Sequence, residues 1–352
     1  MKVVRDLWPQ FSLSVENSRR GFGLDPYFAK KETLMKAMTY TRYGSPDVLQ
    51  LTEVEKPIPG VGEVRVKIHA ASVNSWDWDL VRGKPYLYRL LFGLFKPKRS
   101  IIGADIAGIV DAVGPEVHQF QPGDAVFGDL SEDTWGGFAE YVCAPEQALM
   151  QKPAGMTFEE AAATPQAAVL ALQGLCEHRP LQPGHKVLIN GAGGGVGTFA
   201  IQMAKSFGAE VTGVDSTEKQ DLLRSIGADH VIDYTKEDFT KNGLRYDLIM
   251  DVVANRSIFT YKRSLLPNGI FVMVGGTIPA ILQTALLGSF ISGKKMGLLI
   301  HKANKDLAVI TNLIETGKIT PVIDKRYPLS ETAEAIRYLG AGHARGKVVI
   351  TV

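Results

Sequence analysis

The segment Lys186–Lys205, KVLINGAGGGVGTFAIQMAK, places five glycines within seven residues, between an apolar run and an amphipathic run. Glycine at this density marks backbone that something approaches too closely for side chains. The apolar run reads as a strand and the amphipathic run as a helix, the setting in which a glycine-rich turn binds a dinucleotide. The strict G-x-G-x-x-G spacing is absent. Ala192, Gly194 and Gly197 stand in that frame, with Gly191 before them and Gly195 and Val196 between. The physical requirements are still met: a small residue for the tight turn, Gly194 for the approach of a pyrophosphate, Gly197 for close packing of helix on sheet. The helix start adds free N–H groups and partial positive charge. A tight strand-to-helix turn without a ligand would use the same glycines, but the strand–helix alternation around this one favours a dinucleotide.

The next candidate strand, ending VTGVD, bears on which dinucleotide. It puts Asp215 23 residues beyond Ala192 (215 − 192). An acid near this offset bonds the adenosine ribose hydroxyls and disfavours a 2′-phosphate, which predicts NADH. Ser216, Thr217 and Lys219 follow at once, and Tyr234 ends the strand after that. Hydroxyls with an ammonium can hold a 2′-phosphate, which predicts NADPH. Lys219 reads equally well as a solvated lysine at a helix start. The sequence leaves NADPH and NADH open.

The elements that must position these residues have two textures. From Met35 to about Pro153, short alternating or β-branched runs such as EVRVKIHAASVN and IIGADIAGIVDAVG are punctuated by Gly and Pro. They predict a compact, mostly antiparallel β domain. The texture turns helical at MTFEEAAATPQAAVLALQGLCE. Strand candidates (KVLIN, EVTGVD, HVIDY, YDLIMDVV, GIFVMVGG) then alternate with helix candidates (GTFAIQMAKSF, EKQDLLRSI, RSIFTYKRSLL). Alternation of this kind predicts βαβ units and a doubly wound parallel sheet, so the fold class is α/β. Beyond residue 301 the texture is mixed, with two helical runs and a closing strand, GKVVITV.

Size and composition set bounds. A chain of 352 residues has room for two domains. With 39 basic and 37 acidic residues the net charge is +2, so bulk charge points neither to nucleic acid nor to a membrane surface. Cys143 and Cys176 lie far apart and show no metal-ligand spacing. They read as reduced thiols in a reducing, cytoplasmic compartment. Residues 1–34 mix basic and acidic residues and lack an apolar core. They read as an N-terminal extension, loosely ordered or an over-long start, rather than a targeting segment. The most apolar later stretch, residues 278–300, is interrupted by Pro279 and the Lys294–Lys295 pair, so no membrane span is expected there. A helix under a loop, a pocket wall or a dimer contact are its alternatives.

Taken in order, the β domain, AAATPQAAVLALQGL, INGAGGGVGTFAIQMAK, GADHVIDY, NGIFVMVGG and GKVVITV resemble the medium-chain dehydrogenase/reductase superfamily. Within it the chain is similar to the zinc-independent quinone oxidoreductase-like branch, including the reticulon-interacting oxidoreductase group. The resemblance covers nearly everything from Met35 to Val352. It implies a GroES-like catalytic domain, residues 35–153 and 301–352, around a Rossmann dinucleotide-binding domain, residues 154–300, with the active site in the cleft between them. A homodimer is implied on the same ground.

Zinc-dependent relatives carry a cysteine in the segment matching SVNSWDWD, a His–Glu pair in the segment matching IIGADIAG, and a four-cysteine lobe. Here Asn74 and Ala104–Asp105 stand in the first two places and no cysteines in the third. A catalytic zinc needs three protein ligands around an open position, so no metal is expected. Asp105 is read as a partly buried acid bonding nearby turns. Hydride transfer to a quinone, enone or enal instead builds negative charge on an oxygen that hydrogen-bond donors must meet. The resemblance carries a cleft asparagine onto Asn74. Asp77 is a second candidate, as an orienting or proton-relaying group, or equally as part of an Asn/Asp turn. Trp76, Trp78, Tyr86 and Tyr88 read as an aromatic wall or as loop anchors, with Tyr86 a candidate proton donor. Val253, Ala254 and Asn255, and Val274, Gly275 and Gly276, end strands at the carboxyl edge where cofactors bind. Lys347 is either a further cofactor contact that returns to the cleft or a solvated strand-start lysine. The expected activity is NAD(P)H-dependent reduction of a quinone or activated double bond. Alcohol–aldehyde oxidoreduction and a nucleotide-binding partner protein without turnover are the alternatives.

Overall fold

A computed structural model of the chain describes residues 33–176, 178–291 and 295–352. Contacts divide the chain into two units, Met1–Leu34 and Met35–Val352. The extension expected at 1–34 falls almost wholly outside the described residues, and the described fold is that of the second unit.

Its strands begin with β1 (Leu34–Thr39) and β2 (Gln50–Glu55), which pair with each other. Next come β3 (Glu63–Val73), β4 (Asp105–Val113), β5 (Ala125–Asp129), β6 (Tyr141–Pro145) and β7 (Met150–Gln151). The parallel set is β8 (Lys186–Asn190), β9 (Glu210–Asp215), β10 (His230–Asp233), β11 (Tyr246–Asp251), β12 (Leu265–Met273) and β13 (Lys295–Leu298). Finally β14 (Ile323–Pro328) and β15 (Lys347–Thr351) join the sheet formed by β3 to β7.

The six-stranded sheet runs β10-β9-β8-β11-β12-β13 with every pairing parallel. The chain leaves β8 toward β9 and β10, then comes back to the other side of β8 as β11. That reversal creates a crevice at the carboxyl ends of β8 and β11. All five strand candidates of this region form, and a sixth, β13, forms inside the apolar stretch 278–300, preceded by a helix over Ile278–Leu287. With glycine and two lysines interrupting it, the β13 segment has no readable strand period.

The seven-stranded sheet is mostly antiparallel. β4 pairs with β3 and β5, and β15 pairs with β3 in a register that sets Val348 opposite Val73. One step further along this antiparallel ladder, Lys347 faces Asn74.

The helix Gly195–Ser206 buries Phe199, Ala200, Ile201, Met203 and Ala204 against Val187, Ile189, Val211 and Met250. It shares this core with the helix Pro165–Cys176, whose residues are almost all buried. Leu307, Ile310 and Leu313 of the helix Leu307–Glu315 join the same core, as do Ala70, Ala107 and Phe127 of the β sheet. A second core, with Val81, Trp135, Phe138, Ile336 and Ile350, binds the helix Thr332–Gly340 to β15 and the residues around β3. These two cores fix both walls of the crevice.

Candidate functional site

A cavity of about 510 Å³ opens at the β8/β11 reversal. One wall is the glycine turn with Gly191, Gly194, Gly195 and Val196, and the other brings Val73, Asn74, Ser75, Gly346 and Lys347. The two walls touch, because Gly194 bridges Gly346 in a single parallel pairing.

The glycine turn is shaped by its contacts. Gly191 has φ +79°, a conformation that glycine adopts without strain. A Cβ on Gly197 would lie 2.4 Å from the Gly191 carbonyl and 2.5 Å from that of Ala192, so this glycine lets the helix close on the turn. A Cβ on Gly194 would meet only the Gly191 carbonyl, at 3.5 Å, and would otherwise stand in the cavity. Gly194 is the N-cap of the twelve-residue helix Gly195–Ser206, whose first N–H groups face the same space. The cradle fits a pyrophosphate on both counts.

Asp215 and Lys219 also line the cavity, but their charged groups are already engaged. Asp215 Oδ2 accepts from the Gly193 N–H at 2.8 Å and Oδ1 from the Ser216 N–H at 2.8 Å. Lys219 is buried; its Nζ is 3.5 Å from Asp215 Oδ1 and donates to the Gly342 carbonyl at 3.2 Å. It is therefore not a solvated lysine at a helix start. Tyr234, Val253 and Asn255 line the cavity as well. Ala192 and Ala254 are wholly buried and stay off the wall. Ser216, Thr217, Val274, Gly275 and Gly276 are also off it, Thr217 Oγ1 being spent on Asp233 Oδ2.

The opposite wall holds a buried polar cluster with Asp105 at its centre. Asp105 begins β4, where the ladder sets it opposite Ser72 of β3. Its Oδ2 accepts from Ser72 Oγ at 2.9 Å, Asn74 Nδ2 at 3.0 Å and Lys347 Nζ at 3.3 Å, and its Oδ1 accepts from the Gln166 N–H at 3.0 Å. Lys347 Nζ also donates to Asn74 Oδ1 at 2.5 Å. Lys347 is 2% exposed and Asp105 wholly buried, so the expected partly buried acid at a turn is a fully enclosed keystone. Burial pushes the Asp105 carboxyl above its usual range, and the Lys347 ammonium pulls it back.

Two of the three candidate catalytic residues do not reach the cavity. Asp77 is wholly buried behind Asn74 at the start of the helix Ser75–Arg82. Its Oδ2 accepts the Asn74 N–H at 2.8 Å and its Oδ1 the Gly103 N–H at 3.2 Å, the Asn/Asp turn of the alternative reading. Burial pushes its carboxyl up to about 7, with those two N–H groups opposing. Tyr86 is 67% exposed, with the Arg89 guanidinium 5.0 Å from its ring, and does not line the cavity. Nor do Trp76, Trp78 and Tyr88 line the cavity. Trp76 stacks on Trp135 at 6.2 Å, and Trp78 lies beneath Gly340.

Gln166 was not anticipated. It lines the cavity from the helix Pro165–Cys176, and its buried Nε2 has no partner. A lone glutamine in the run AAATPQAAVLAL was the available signal, since an unpaired amide is costly among buried alanines. Arg256, which also lines the cavity, was missed too. The residues at the two family metal positions do not fit zinc. They are an amide and a carboxylate with an ammonium already bonded to both, and among the described residues no group of three His, Cys, Asp or Glu could hold a metal.

Residues 60–154 match the family model described as alcohol dehydrogenase GroES-like domain, and residues 226–350 the one described as zinc-binding dehydrogenase. The chain is similar to the 2-methylene-furan-3-one reductase of Solanum lycopersicum, 36% identical over 330 residues, covering 90% of this chain and 79% of that one. It is similar to the mitochondrial NAD(P)H oxidoreductase RTN4IP1 of Mus musculus, 32% identical over 360 residues, covering 92% and 90%. The solved quinone oxidoreductase of Coxiella burnetii superposes with a TM-score of 0.82 at 30% identity, covering 91% of this chain and 99% of that one. The chain belongs to the medium-chain dehydrogenase/reductase superfamily, in its quinone oxidoreductase-like branch.

Proposed function

We propose that the chain is an NAD(P)H-dependent oxidoreductase that reduces a quinone or an α,β-unsaturated carbonyl in the cavity at the β8/β11 reversal. The observation that carries this is the meeting of Gly194–Gly195 with Gly346–Lys347, which sets a pyrophosphate cradle against a cluster of buried hydrogen-bond donors. The names of the relatives, a furanone reductase and quinone oxidoreductases, support both substrate classes.

Bound at the cradle, the dinucleotide supplies the hydride. Gly191, Ala192, Gly194, Gly195, Val196 and Gly197 form its phosphate turn, and Val253 and Asn255, which line the cavity, stand toward the nicotinamide. Asn74 and Lys347 serve the substrate. The amide of Asn74 has two hydrogens, of which Asp105 takes one. The ammonium of Lys347 has three, of which Asn74 and Asp105 take two. One donor on each is left for an oxygen that gains negative charge as hydride arrives. Asp105 holds both in place, and the reading needs no zinc. Asp215 and Lys219 neutralise each other, so the adenosine end accepts NADH and NADPH alike.

The two-domain division at 154 and 300 and a homodimer belong to this proposal. So does a cytoplasmic location, supported by two free cysteines and set against the mitochondrial name of the Mus musculus relative. Among the described residues no helix is long and apolar enough to cross a membrane.

Stopped-flow oxidation of NADPH and NADH with a panel of quinones, enones and enals tests the activity. Tight cofactor binding with no turnover of any acceptor would refute it. Asp215→Ala tests the adenosine end. Because Asp215 ties down the Gly193 N–H, both dinucleotides should lose affinity together, whereas an NADH-only loss would restore the ribose-bonding role.

A further inference from the structure

The bulk charge of the chain hides a local imbalance. The segment Arg82–Arg99, RGKPYLYRLLFGLFKPKR, carries six basic residues and no acid. Its outer face exposes Tyr86, Leu87, Leu90, Leu91, Leu94 and Phe95, the last at 90%. Lys84, Lys96, Lys98 and Arg99 flank them and are exposed too.

The segment is held in this presentation from within. Tyr43 Oη donates to the Gly93 carbonyl at 2.7 Å, Arg89 Nε to the Gly83 carbonyl at 2.9 Å, and the Lys98 N–H to the Phe92 carbonyl at 2.8 Å. The Phe92 ring turns inward to Trp135, centroids 6.4 Å apart, and Trp135 stacks on Trp76. The apolar side chains on the other side are thus displayed on a braced support, and none of them lines the cavity.

We infer that this face docks on the surface of an anionic lipid bilayer. Exposed leucines and aromatics inside a ring of lysine and arginine match an interfacial anchor, in which apolar side chains enter the headgroup–acyl boundary while cations meet anionic headgroups. A second copy of the chain fits worse, because the same basic face would oppose itself. The acids beside the basic segment are Asp79, next to Arg82 and Tyr88, and Glu132 and Asp133, next to Arg99, which donates to the backbone carbonyls of Asp133 and Thr134. Neither Lys84 nor Lys96 has an ion pair with any of them among the described residues. The aromatic path Phe92–Trp135–Trp76 leads from the docked face to Ser75 and Asn74 on the cavity wall. Resting on the proposed reductase activity, this placement makes the substrate a membrane-dissolved quinone or enone with an apolar tail.

Co-sedimentation of the full chain with phosphatidylcholine vesicles, with and without phosphatidylglycerol, tests the inference. Binding should need phosphatidylglycerol and fall with salt. Lys84→Ala and Lys96→Ala should each weaken it about fivefold, and Leu91→Ser and Phe95→Ser about tenfold each. The four variants should keep their melting temperature and their turnover of a water-soluble quinone. No binding to anionic vesicles at low ionic strength overturns the inference. So does binding that survives Leu91→Ser combined with Phe95→Ser, or a dimer in sedimentation that this pair of changes dissolves while vesicles are ignored. If vesicles bind as expected but no quinone is reduced, the docking face stands and the proposed activity fails.

Discussion

The two walls of the cavity are built by opposite means. The dinucleotide wall is backbone: five glycines within one turn, a helix start, and an acid that ties down one N–H of that turn. The substrate wall is held by side chains: Ser72, Asn74 and Lys347 all bond the Asp105 carboxylate, which also accepts the backbone N–H of Gln166. The first tolerates almost no change of shape and the second almost no change of charge. This difference can be broken or sharpened experimentally.

The largest effect should come from Lys347→Met. It leaves Asp105 buried without its cation, at a cost of about 3–5 kcal/mol in unfolding free energy, and removes a donor whose loss should lower kcat/KM by about 100-fold. Denaturant melts and steady-state kinetics check both. Adding Asp105→Asn should recover part of the stability and none of the rate, and full additivity of the two changes would show that they do not interact.

The glycine wall should separate shape from binding. Gly197→Ala puts a methyl group 2.4 Å from the Gly191 carbonyl and should cost about 1–3 kcal/mol. Gly194→Ala points its methyl group into the cavity and should leave the melting temperature alone while raising the dinucleotide Kd about tenfold, read by fluorescence titration. Equal effects on stability would mean that the cradle does not face the ligand.

Asp77 gives a pH-dependent effect, spread over about three pH units. Its carboxyl is held up at about 7 in the folded chain, against an ordinary carboxylate value of about 4 when unfolded. Between those values the folded chain binds the extra proton, so stability should fall as pH rises from about 4 to 7, by at most ~1.4 kcal/mol per pH unit from this group. Asp77→Asn should flatten that part of the profile, measured by thermal melts across pH. The smallest effect should be that of Tyr86→Phe. With its ring exposed away from the cavity, it should change kcat within a factor of two, about 0.4 kcal/mol.

The same contrast explains what is legible in the sequence. The parallel sheet, its helices and the turn at Gly191–Gly197 follow from local rules, since strand period, glycine spacing and helix start all lie within some twenty residues. The substrate wall obeys no local rule. Asn74 can be named only through the family resemblance, and Lys347 stays open because the register of β15 on β3 decides whether it faces Asn74 or water. Asp215 and Lys219 read as rivals for a ribose or a phosphate. Once folded they pair with each other, which no spacing rule states. Gln166 carries a signal, a polar residue in an alanine-rich helix, but what it faces depends on how that helix packs.

Lys347 has one more consequence, in the order of manufacture. The residues of the glycine turn and its flanking strands, 186–215, leave the ribosome long before Gly346, which bridges Gly194. Asn74 and Asp105 emerge earlier still, yet their cation is 242 residues beyond Asp105 and arrives on β15. Until that strand is made, β3 lacks a neighbour and the Asp105 carboxylate lacks its counter-charge. A nascent chain therefore holds an incomplete cavity until its last strand is made, and a product truncated ahead of Lys347 would lack both the cation of Asp105 and the core residues Val348, Val349 and Ile350.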